Sequence, residues 1–393
     1  MRILIANEAI AGAGGVETYL AAIIPALAAR GHEIGVLSQN SSREQGPTRI
    51  VPAGGWTVSV ADAGEDQALA RVAAWRPDVA FSHNMGALTI DERLLAAGPV
   101  AKMMHGYFGT CISGQKAVGN GDPRPCARVF GAACLAQYFP RRCGQRRPVH
   151  FVRQYRWATR QRALLTRYGG IVVASDHMRA EYSRHGVAAN RLHAIPLFAP
   201  PVRGARAAAP ETDVLFLGRM TRIKGARVVI QAVAAAARAL GRPVHLTMAG
   251  EGPQDGALRR LAADLGVPVT FSGWVSGDTC SDLLRSARVL AVPSRWPEPF
   301  GLVGLEAAAH GVPSVAFDVG GISEWLHDGV SGRLVVEAAG AGGFGLALAE
   351  LLRDDDLRER LSSGARRVAA AMTLDAHMNA LDAVLGEVAR RKP

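Results

Sequence analysis

No apolar run in the 393-residue sequence reaches the ~18 residues that a membrane-spanning helix needs. The apolar part of the first eight residues, M-R-I-L-I-A-N-E, is too short for a signal peptide, so we expect a β-strand there and a cytoplasmic protein. Aromatic residues are few, at 6%, but hydrophobic residues make up 49% of the chain. That composition is typical of a globular protein and, at this length, predicts two domains.

Acidic residues and lysines are absent from region 123–175, which instead contains eleven arginines. These eleven arginines equal the net charge of the whole chain, +11, so the residues outside the region carry no net charge. A protein with a pI of about 10.0 could bind nucleic acid. One basic segment on a neutral body instead indicates a local contact with an anionic surface or substrate. We therefore expect no nucleic-acid partner.

The five cysteines include no C-x-x-C pair, and four of them lie in or next to the arginine-rich region: Cys111, Cys126, Cys134 and Cys143. In a cytosolic protein, four cysteines hold a structural zinc ion or an iron–sulfur cluster, form disulfides, or remain reduced thiols. Their loose spacing leaves these alternatives open.

Short apolar runs alternate with helical stretches along the chain, which predicts an α/β fold with two Rossmann-like domains whose parallel sheets face a central cleft. We expect an N-terminal domain at 1–195 with a Cys- and Arg-rich insert at about 106–167. A Pro- and Ala-rich linker is predicted at 196–210 and a C-terminal domain at 211–373. The last helix, within 374–393, is predicted to return to the first domain.

The stretch 292–311, V-P-S-R-W-P-E-P-F-G-L-V-G-L-E-A-A-A-H-G, follows a predicted strand and contains three prolines before a predicted helix at about 301–310. It presents Glu298 in the loop and Glu306 two turns into the helix. The first turn of any helix leaves backbone N–H groups free, here those of Phe300, Gly301 and Leu302. This arrangement predicts a site for a polyhydroxylated, negatively charged ligand.

Two other turns follow predicted strands and favour anions. Gly14 and Gly15 in G-A-G-G-V-E-T-Y-L open a helix, where a phosphate can approach the backbone, although a plain tight turn would look the same. Arg219 and Lys224 in L-G-R-M-T-R-I-K-G lie just past the carboxyl end of a strand, where open α/β sheets bind ligands. Two cations at that edge suit a diphosphate.

The remaining candidates are weaker by themselves. Gly250 in A-G-E-G-P and Trp274 and Val275 in S-G-W-V follow two strands and are candidates for donor binding, or are simple βα turns. Backbone groups near Trp274 and Val275 are placed to contact a nucleobase. His83 and His105 each end an apolar run on the predicted cleft side. A single histidine is usually structural, but two at this edge favour a role in the site.

Taken in order, these motifs resemble the retaining glycosyltransferases of the large family 4 (glycosyl transferases group 1), which have the GT-B fold. The resemblance covers almost all of the second half, including its E-x7-E motif, and in the first half mainly the Gly turn and His105. It implies transfer of a hexose from a UDP- or GDP-sugar with retention at the anomeric carbon. It also implies that no metal or other cofactor takes part in the chemistry.

The resemblance assigns roles to individual residues. Arg219 and Lys224 would grip the donor diphosphate, and Gly15 would approach it from the other domain. Glu306 would bind the ribose, and Glu298 would hold sugar hydroxyls beside the reacting carbon; whether it is also a nucleophile is left open. Backbone groups of Phe300, Gly301 and Leu302 would meet sugar and phosphate. His105 would line the sugar and acceptor pocket, which gives a predicted catalytic set of Glu298, His105, Lys224 and Arg219.

The acceptor, predicted to be a glycan, a lipid-linked molecule or a small molecule, would bind the N-terminal domain, with candidates His83, Tyr107, Arg153 and Arg156. A helix around Phe151–Leu165 with arginines opposite its aromatic face predicts contact with an anionic acceptor or with the inner face of a membrane. Rival interpretations are a nucleotide-sugar epimerase of the same fold and a non-catalytic nucleotide-sugar-binding protein. With only four lysines in the chain, a pyridoxal-dependent phosphorylase is disfavoured.

Overall fold

The computed structural model describes residues 1–12, 14–41, 43, 48–50, 54–119, 121–145, 147–202 and 211–391. Within them, two parallel sheets of seven and six strands each carry helices. The predicted α/β class with two Rossmann-like sheets is confirmed.

The first half supplies eleven strands. They are β1 (Arg2–Asn7), β2 (Ala11–Gly12), β3 (Glu33–Ser38), β4 (Thr48–Arg49), β5 (Trp56–Ser59), β6 (Val79–Ser82), β7 (Val100–Met104), β8 (Ala117–Val118), β9 (Arg124–Pro125), β10 (Gly170–Val173) and β11 (Leu192–Ala194). Seven form the first sheet, in the order β11-β10-β7-β6-β1-β3-β5, and every pair is parallel. Strands β6, β7 and β10 are buried along their whole length, as expected for a parallel sheet covered on both faces.

The second half supplies β12 (Thr212–Leu217), β13 (Leu246–Ala249), β14 (Val269–Gly273), β15 (Ala287–Val292), β16 (Ser314–Phe317) and β17 (Gly332–Val335). Their order is β14-β13-β12-β15-β16-β17, so the strand order reverses between β12 and β15. Ligands of open α/β sheets bind at the carboxyl ends of the strands beside such a reversal. The loops after β12 and β15 carry the predicted phosphate grip and the two glutamates.

The helices are α1 (Gly15–Ala29), α2 (Val60–Ala63), α3 (Glu65–Trp75), α4 (Leu88–Ala97), α5 (Ala132–Gln137), α6 (Pro148–Leu165), α7 (Asp176–Arg184), α8 (Ala226–Leu240), α9 (Asp255–Asp264), α10 (Gly277–Arg285), α11 (Leu302–Ala309), α12 (Gly340–Arg353), α13 (Asp355–Ala371) and α14 (Leu374–Arg390). Because α11 begins at Leu302, Glu306 lies about one turn into the helix, not two as predicted. Of the predicted linker, 196–202 contains no helix or strand, and 203–210 lies outside the described residues.

The insert between β7 and β10 has a small core of its own. Ile112, Phe130, Tyr138 and Ala158 are buried together, with aromatic side chains of α6 packed around them. The antiparallel pair β8–β9 forms a short ribbon beside this core. The insert is therefore a packed unit that α6 joins to the first sheet.

Helix α14 follows the second half in the sequence but packs against strands of the first sheet and α1. The Tyr19 hydroxyl and His377 Nε2 are 2.8 Å apart, and the Arg30 guanidinium donates to Asp382 over 2.9 Å. Met378, Leu381 and Leu385 are buried in the core that includes Tyr19. The domain limits themselves remain a prediction.

Candidate active site

The centre of the site is an ion pair between the loops that follow β12 and β15. Lys224 Nζ lies 2.8 Å from Oε1 and 3.0 Å from Oε2 of Glu298. The Ser294 hydroxyl donates to Glu298 Oε1 as well. Because the Glu298 side chain is only 4% exposed, this carboxylate has exchanged most of its water for these two donors.

Local geometry explains why Lys224 reaches Glu298. Gly225 ends the turn Arg222–Lys224 with a φ of +73°, and a Cβ there would lie 1.8 Å from the Pro293 carbonyl oxygen. Only glycine permits that approach. The Arg295 N–H donates to the Ile223 carbonyl over 2.7 Å, which ties the two loops together.

Arg219 lies in the same loop as Lys224, immediately after β12. Its side chain is exposed, and among the described residues no carboxylate pairs with it. A cation without a partner beside an existing Lys–Glu pair leaves net positive charge at this strand end. That charge suits a phosphate ligand.

Glu306 lies on α11 and is only partly exposed. Burial raises the pKa of Glu306 to about 7 from a usual value of 4.5. Within the described part of the chain, no cation or hydrogen-bond donor satisfies the carboxyl group. A desolvated carboxyl group without a partner is unfavourable by itself, which makes Glu306 a candidate for binding a ligand.

The start of α11 leaves three backbone donors without acceptors. Gly301 has a φ of +88° at the helix N-cap, and the Phe300 carbonyl accepts a 2.7 Å hydrogen bond from Trp325 Nε1. In the described structure, the N–H groups of Phe300, Gly301 and Leu302 have no acceptor. These three donors and the positive helix end form an anion-binding geometry.

The predicted donor-binding residues Gly250, Trp274 and Val275 lie at the ends of β13 and β14. Gly250 has a φ of +128°, and a Cβ there would lie 2.2 Å from the Gly218 carbonyl oxygen, so the chain requires glycine. Its N–H donates to the Gly273 carbonyl over 2.7 Å, joining the two strand ends. Trp274 is 47% exposed, and Val275 is partly exposed beside it. An exposed indole at a sheet edge is available for stacking.

The Gly turn of the first half lies at the start of α1. Gly14 is the N-cap, and a Cβ there would lie 2.3 Å from a Glu17 oxygen. A Cβ on Gly15 would meet nothing within 4 Å, so the protein itself does not require glycine at this position. Open space in front of a helix N-terminus is where a ligand phosphate would sit.

The two predicted histidines form a pair. Nδ1 of His83 is 3.0 Å from Nε2 of His105. Burial, with a smaller contribution from the nearby Lys102 charge, lowers the pKa of His105 to about 3. Burial likewise lowers the pKa of His83, with the adjacent His105 and Lys102 contributing. Both rings are therefore neutral near pH 7, and His105 can hydrogen-bond a hydroxyl but carries no charge.

Tyr107, two residues after His105, lies against the glutamate loop across the cleft. Its ring centre lies 6.3 Å from that of Trp296 in an edge-on geometry. Burial raises the pKa of Tyr107, and the Glu298 charge raises it further. The side chain is fully buried, and its hydroxyl has no hydrogen-bond partner in the described residues. A buried hydroxyl of this kind is available to a ligand.

Two polar contacts join the halves at the edges of the cleft. Asp176 N–H, at the start of α7, donates to Glu324 Oε1 over 2.6 Å. Asp122 of the insert lies 2.7 Å from the Arg295 guanidinium, which also lies 3.2 Å from Glu337. The arrangement brings residues of both halves to one cleft, as a two-substrate site requires.

Two family models together match most of the chain. Residues 13–201 match Glycosyltransferase Family 4, and residues 211–354 match Glycosyl transferases group 1. The chain is a family-4 glycosyltransferase. The predicted family is confirmed.

Curated relatives agree with this family. The chain is 40% identical over 185 residues to D-inositol 3-phosphate glycosyltransferase of Salinispora arenicola, covering 44% of this chain and 41% of that protein. It is 27% identical over 270 residues to alpha-D-kanosaminyltransferase of Streptomyces kanamyceticus, covering 63% and 69%. The chain thus spans less than half of the Salinispora protein.

Solved structures show the same GT-B fold. Anabaena HepE in complex with UDP superposes with a TM-score of 0.69 at 19% identity, over 98% of this chain and 100% of that one. Sucrose-phosphate synthase from Thermosynechococcus elongatus also has a TM-score of 0.69 at 19% identity, over 99% of both chains. At these identities the likeness concerns the fold alone.

Among the remaining acceptor candidates of this chain, His83 lies apart from the two arginines. His83 lines a cavity of about 210 Å³ with Trp157 and Gln161 of α6. Arg153 and Arg156 lie on the exposed face of α6, and neither lines that cavity. No described helix is long and apolar enough to cross a membrane.

The four clustered cysteines come together although they are far apart in sequence. Cys111, Cys126, Cys134 and Cys143 line one cavity of about 30 Å³, and all are free thiols. Across the described residues, no three His, Cys, Asp or Glu side chains are arranged to hold a metal ion. Burial raises the pKa of Cys143 to about 12, and the charges of the other three thiols add to the shift.

Three site residues escaped the sequence analysis: Ser294, Gly225 and Arg295. All lie inside or next to motifs already quoted there. Ser294 precedes Glu298 by four positions. On a helix this spacing predicts a contact between the two side chains, but this segment is a loop, so the spacing gave no such prediction. Gly225 follows Lys224 directly. The presence of glycine at this position was the only feature of the sequence that could have pointed to it.

Proposed function

We propose that the protein transfers a hexose from a UDP- or GDP-linked sugar to an acceptor bound by the N-terminal domain, with retention at the anomeric carbon. The observation that carries this proposal is the buried Lys224–Glu298 pair beside Arg219 and the free N–H groups at the start of α11. One strand edge thus offers fixed cations, a fixed carboxylate and helix-end donors. A sugar diphosphate needs all three.

The cations act on the leaving group. As the bond from the sugar carbon to the diphosphate breaks, negative charge grows on the phosphate oxygens. Lys224 and Arg219 are already in place and require little reorganisation, so they stabilise this charge in the transition state. Because the fixed cations do this work, we propose that the chemistry needs no metal ion. Unchanged turnover in EDTA is the expected result.

The carboxylates act on hydroxyl groups. Glu298 would accept hydrogen bonds from the sugar, and Glu306 from the ribose of the nucleotide. Gly250, Trp274 and Val275 would contact the base, and Gly14 and Gly15 would face the diphosphate from across the cleft. The UDP and UDP-glucose bound to Anabaena HepE occupy a protein of the same fold, which supports a donor of this class.

Retention follows if the acceptor attacks from the face that the diphosphate leaves. A bond forms between the acceptor oxygen and the sugar carbon, the carbon–phosphate oxygen bond breaks, and the acceptor proton passes to the departing phosphate. No protein nucleophile is required. His105, neutral at pH 7, and Tyr107 would orient hydroxyls of the sugar and the acceptor.

The acceptor is proposed to be a glycan, a lipid-linked molecule or an anionic small molecule. The eleven arginines in 123–175 support an anionic partner, because among the described residues only Arg124 and Arg160 of this set pair with a carboxylate. We place the protein in the cytoplasm, with the inner face of a membrane as a second partner of this segment. The name of the Salinispora relative, an inositol 3-phosphate enzyme, is compatible with an anionic acceptor.

The test compares Lys224→Ala and Glu298→Gln with Glu359→Gln, a change on the exposed face of α13. Donor hydrolysis and transfer are measured with the nucleotide sugar that most raises the melting temperature in a panel. We expect each site variant to lose about a hundredfold or more in turnover, while the Glu359→Gln variant keeps it.

Three outcomes would contradict the proposal. Full turnover by either site variant would remove the assigned roles. Nucleotide-sugar binding without hydrolysis or transfer to any acceptor would indicate a binding protein. Conversion of the donor to its epimer without an acceptor would indicate an epimerase. The anomeric configuration of the product, read by NMR, tests retention separately.

A further inference from the structure

A second cavity, of about 610 Å³, lies between the insert and the loop after β12. The insert contributes Arg142 and Arg147 to its wall, and the loop contributes Arg222 and Ile223. Its size is within the range of small-molecule sites, roughly 300–1,000 Å³. None of its described lining residues is acidic.

Two of these arginines lack the partners that other arginines of the same region have. Arg160 pairs with Glu92, and Arg184 pairs with Glu181. In the described part of the chain, the guanidinium groups of Arg142 and Arg147 contact no carboxylate. Positive charge that faces a cavity without compensation attracts an anion, and the guanidinium fork matches a phosphate.

The loop that carries Arg142 is held in place by backbone hydrogen bonds. Gly119 N–H donates to the Arg141 carbonyl over 2.8 Å, and Cys143 N–H to the Tyr138 carbonyl over 3.0 Å. Arg142 itself has a φ of +52°, in the left-handed region that non-glycine residues seldom adopt. The backbone of this loop is therefore already ordered before a ligand binds, and only the arginine side chain is ordered on binding.

The cavity adjoins the donor site. Ile223, in its wall, is the residue before Lys224, and its carbonyl receives the Arg295 N–H. A molecule anchored here would therefore bind next to the loop that holds Glu298. Arg142, Arg147, Arg153 and Arg156 are all exposed, but only Arg142 and Arg147 line this cavity.

We infer that this cavity binds a phosphate group of the acceptor, held by Arg142 and Arg147. The acceptor class is then a phosphate ester, either a soluble sugar or polyol phosphate or a lipid-linked one. This inference rests on the proposed function, because a phosphate here belongs to an acceptor only if the donor occupies the Lys224–Glu298 site. The anchored end would hold the molecule while its hydroxyl reaches the sugar carbon.

The test titrates inorganic phosphate into protein saturated with UDP, against sodium chloride of equal ionic strength. The variant is Arg142→Gln with Arg147→Gln, which keeps the backbone and side-chain stem. The control is Arg167→Gln with Arg360→Gln, two exposed arginines elsewhere, which removes the same charge. We expect phosphate affinity to fall about tenfold or more in the cavity variant, given the strength of charge-assisted hydrogen bonds, and to be unchanged in the control.

UDP binding serves as the internal reference. It should be the same in all three proteins, which also shows that each is folded. If wild-type protein binds neither UDP nor GDP, the proposed function fails, whereas the phosphate result, measured then without nucleotide, still reports on the cavity. The inference is overturned if both double variants lose phosphate affinity equally. It is also overturned if UDP displaces phosphate, or if wild-type protein binds no phosphate.

A further arm distinguishes the source of the phosphate. Vesicles containing phosphatidic acid are compared with vesicles of phosphatidylcholine alone. Binding that depends on Arg142 and Arg147 identifies a lipid-borne phosphate. Binding of free phosphate without vesicle binding identifies a soluble acceptor. Vesicle binding by the cavity variant at the wild-type level, together with unaltered phosphate affinity, would refute the site.

Discussion

Replacing Glu306 with glutamine should stabilise the protein in alkaline solution while weakening nucleotide binding. Burial raises the pKa of Glu306 from 4.5 to about 7. The unfolded chain loses the proton of this carboxyl group near pH 4.5, but the folded protein keeps it until near pH 7. Between these values the unfolded state binds fewer protons, so the free energy of unfolding falls as pH rises.

The size of this effect follows from the shift. One pKa unit corresponds to 1.36 kcal/mol, so the charged carboxylate costs the folded state about 3 kcal/mol above pH 7. Glutamine has no charged form and escapes this cost. For a domain of the predicted size, about 2–4 °C per kcal/mol is expected, so Glu306→Gln should melt about 6 °C or more above wild-type protein at pH 8. At pH 5 the gap should be small.

The assay is thermal unfolding of wild-type, Glu306→Gln and Glu359→Gln proteins at both pH values. The Glu359 carboxylate is exposed and pairs with Arg366 over 3.0 Å, so its replacement should change little. A gap between Glu306→Gln and wild-type that is the same at pH 5 and pH 8 would refute the reasoning. In parallel, UDP affinity should fall about tenfold or more, because the ribose loses a charged acceptor. Unaltered UDP affinity would remove the ribose role.

Two further predictions concern the Gly turn and the thiols. Gly15→Ala should keep the melting temperature of wild-type protein, because the new Cβ meets nothing within 4 Å. It should nevertheless lower sugar transfer, because the Cβ would crowd the donor phosphate. Gly250→Ala should lower the melting temperature, because its Cβ would lie 2.2 Å from a carbonyl oxygen. Full transfer by Gly15→Ala would contradict the role. With a pKa of about 12, Cys143 should react with iodoacetamide at pH 8 about a thousandfold more slowly than an ordinary thiol, as mapped by mass spectrometry, and at the normal rate after unfolding. Metal analysis should find fewer than ~0.2 equivalents of zinc or iron; about one equivalent would contradict free thiols.

The fold and the family followed from local signals. Buried strands such as β10 and β15 read as continuous apolar runs, and the loops after β12 and β15 carried short motifs. These signals are local because strand burial and helix caps depend on neighbouring residues. The sequence therefore predicted the architecture and which loops bear charge.

Contacts between distant segments could not be read in this way. Lys224 and Glu298 are 74 residues apart and Asp122 and Arg295 are 173 apart, and no periodicity links either pair. The arginines of region 123–175 show this difference between sequence and structure. Composition singled out the whole segment and favoured Arg153 and Arg156 on a helical face. Only the folded chain shows that Arg142 and Arg147, in a loop, face a cavity.

The Asp122–Arg295 contact has a consequence for how such a protein can change its acceptor. Arg295 is almost buried, at 6% exposure, whereas Asp122 is 58% exposed. One surface carboxylate thus attaches the insert to the loop that carries Glu298. An insert of different length or charge could replace this one and keep the donor loops intact, provided that it offers an acid at the same place. The half that carries β12 to β17 would then stay the same while different inserts bind different acceptors.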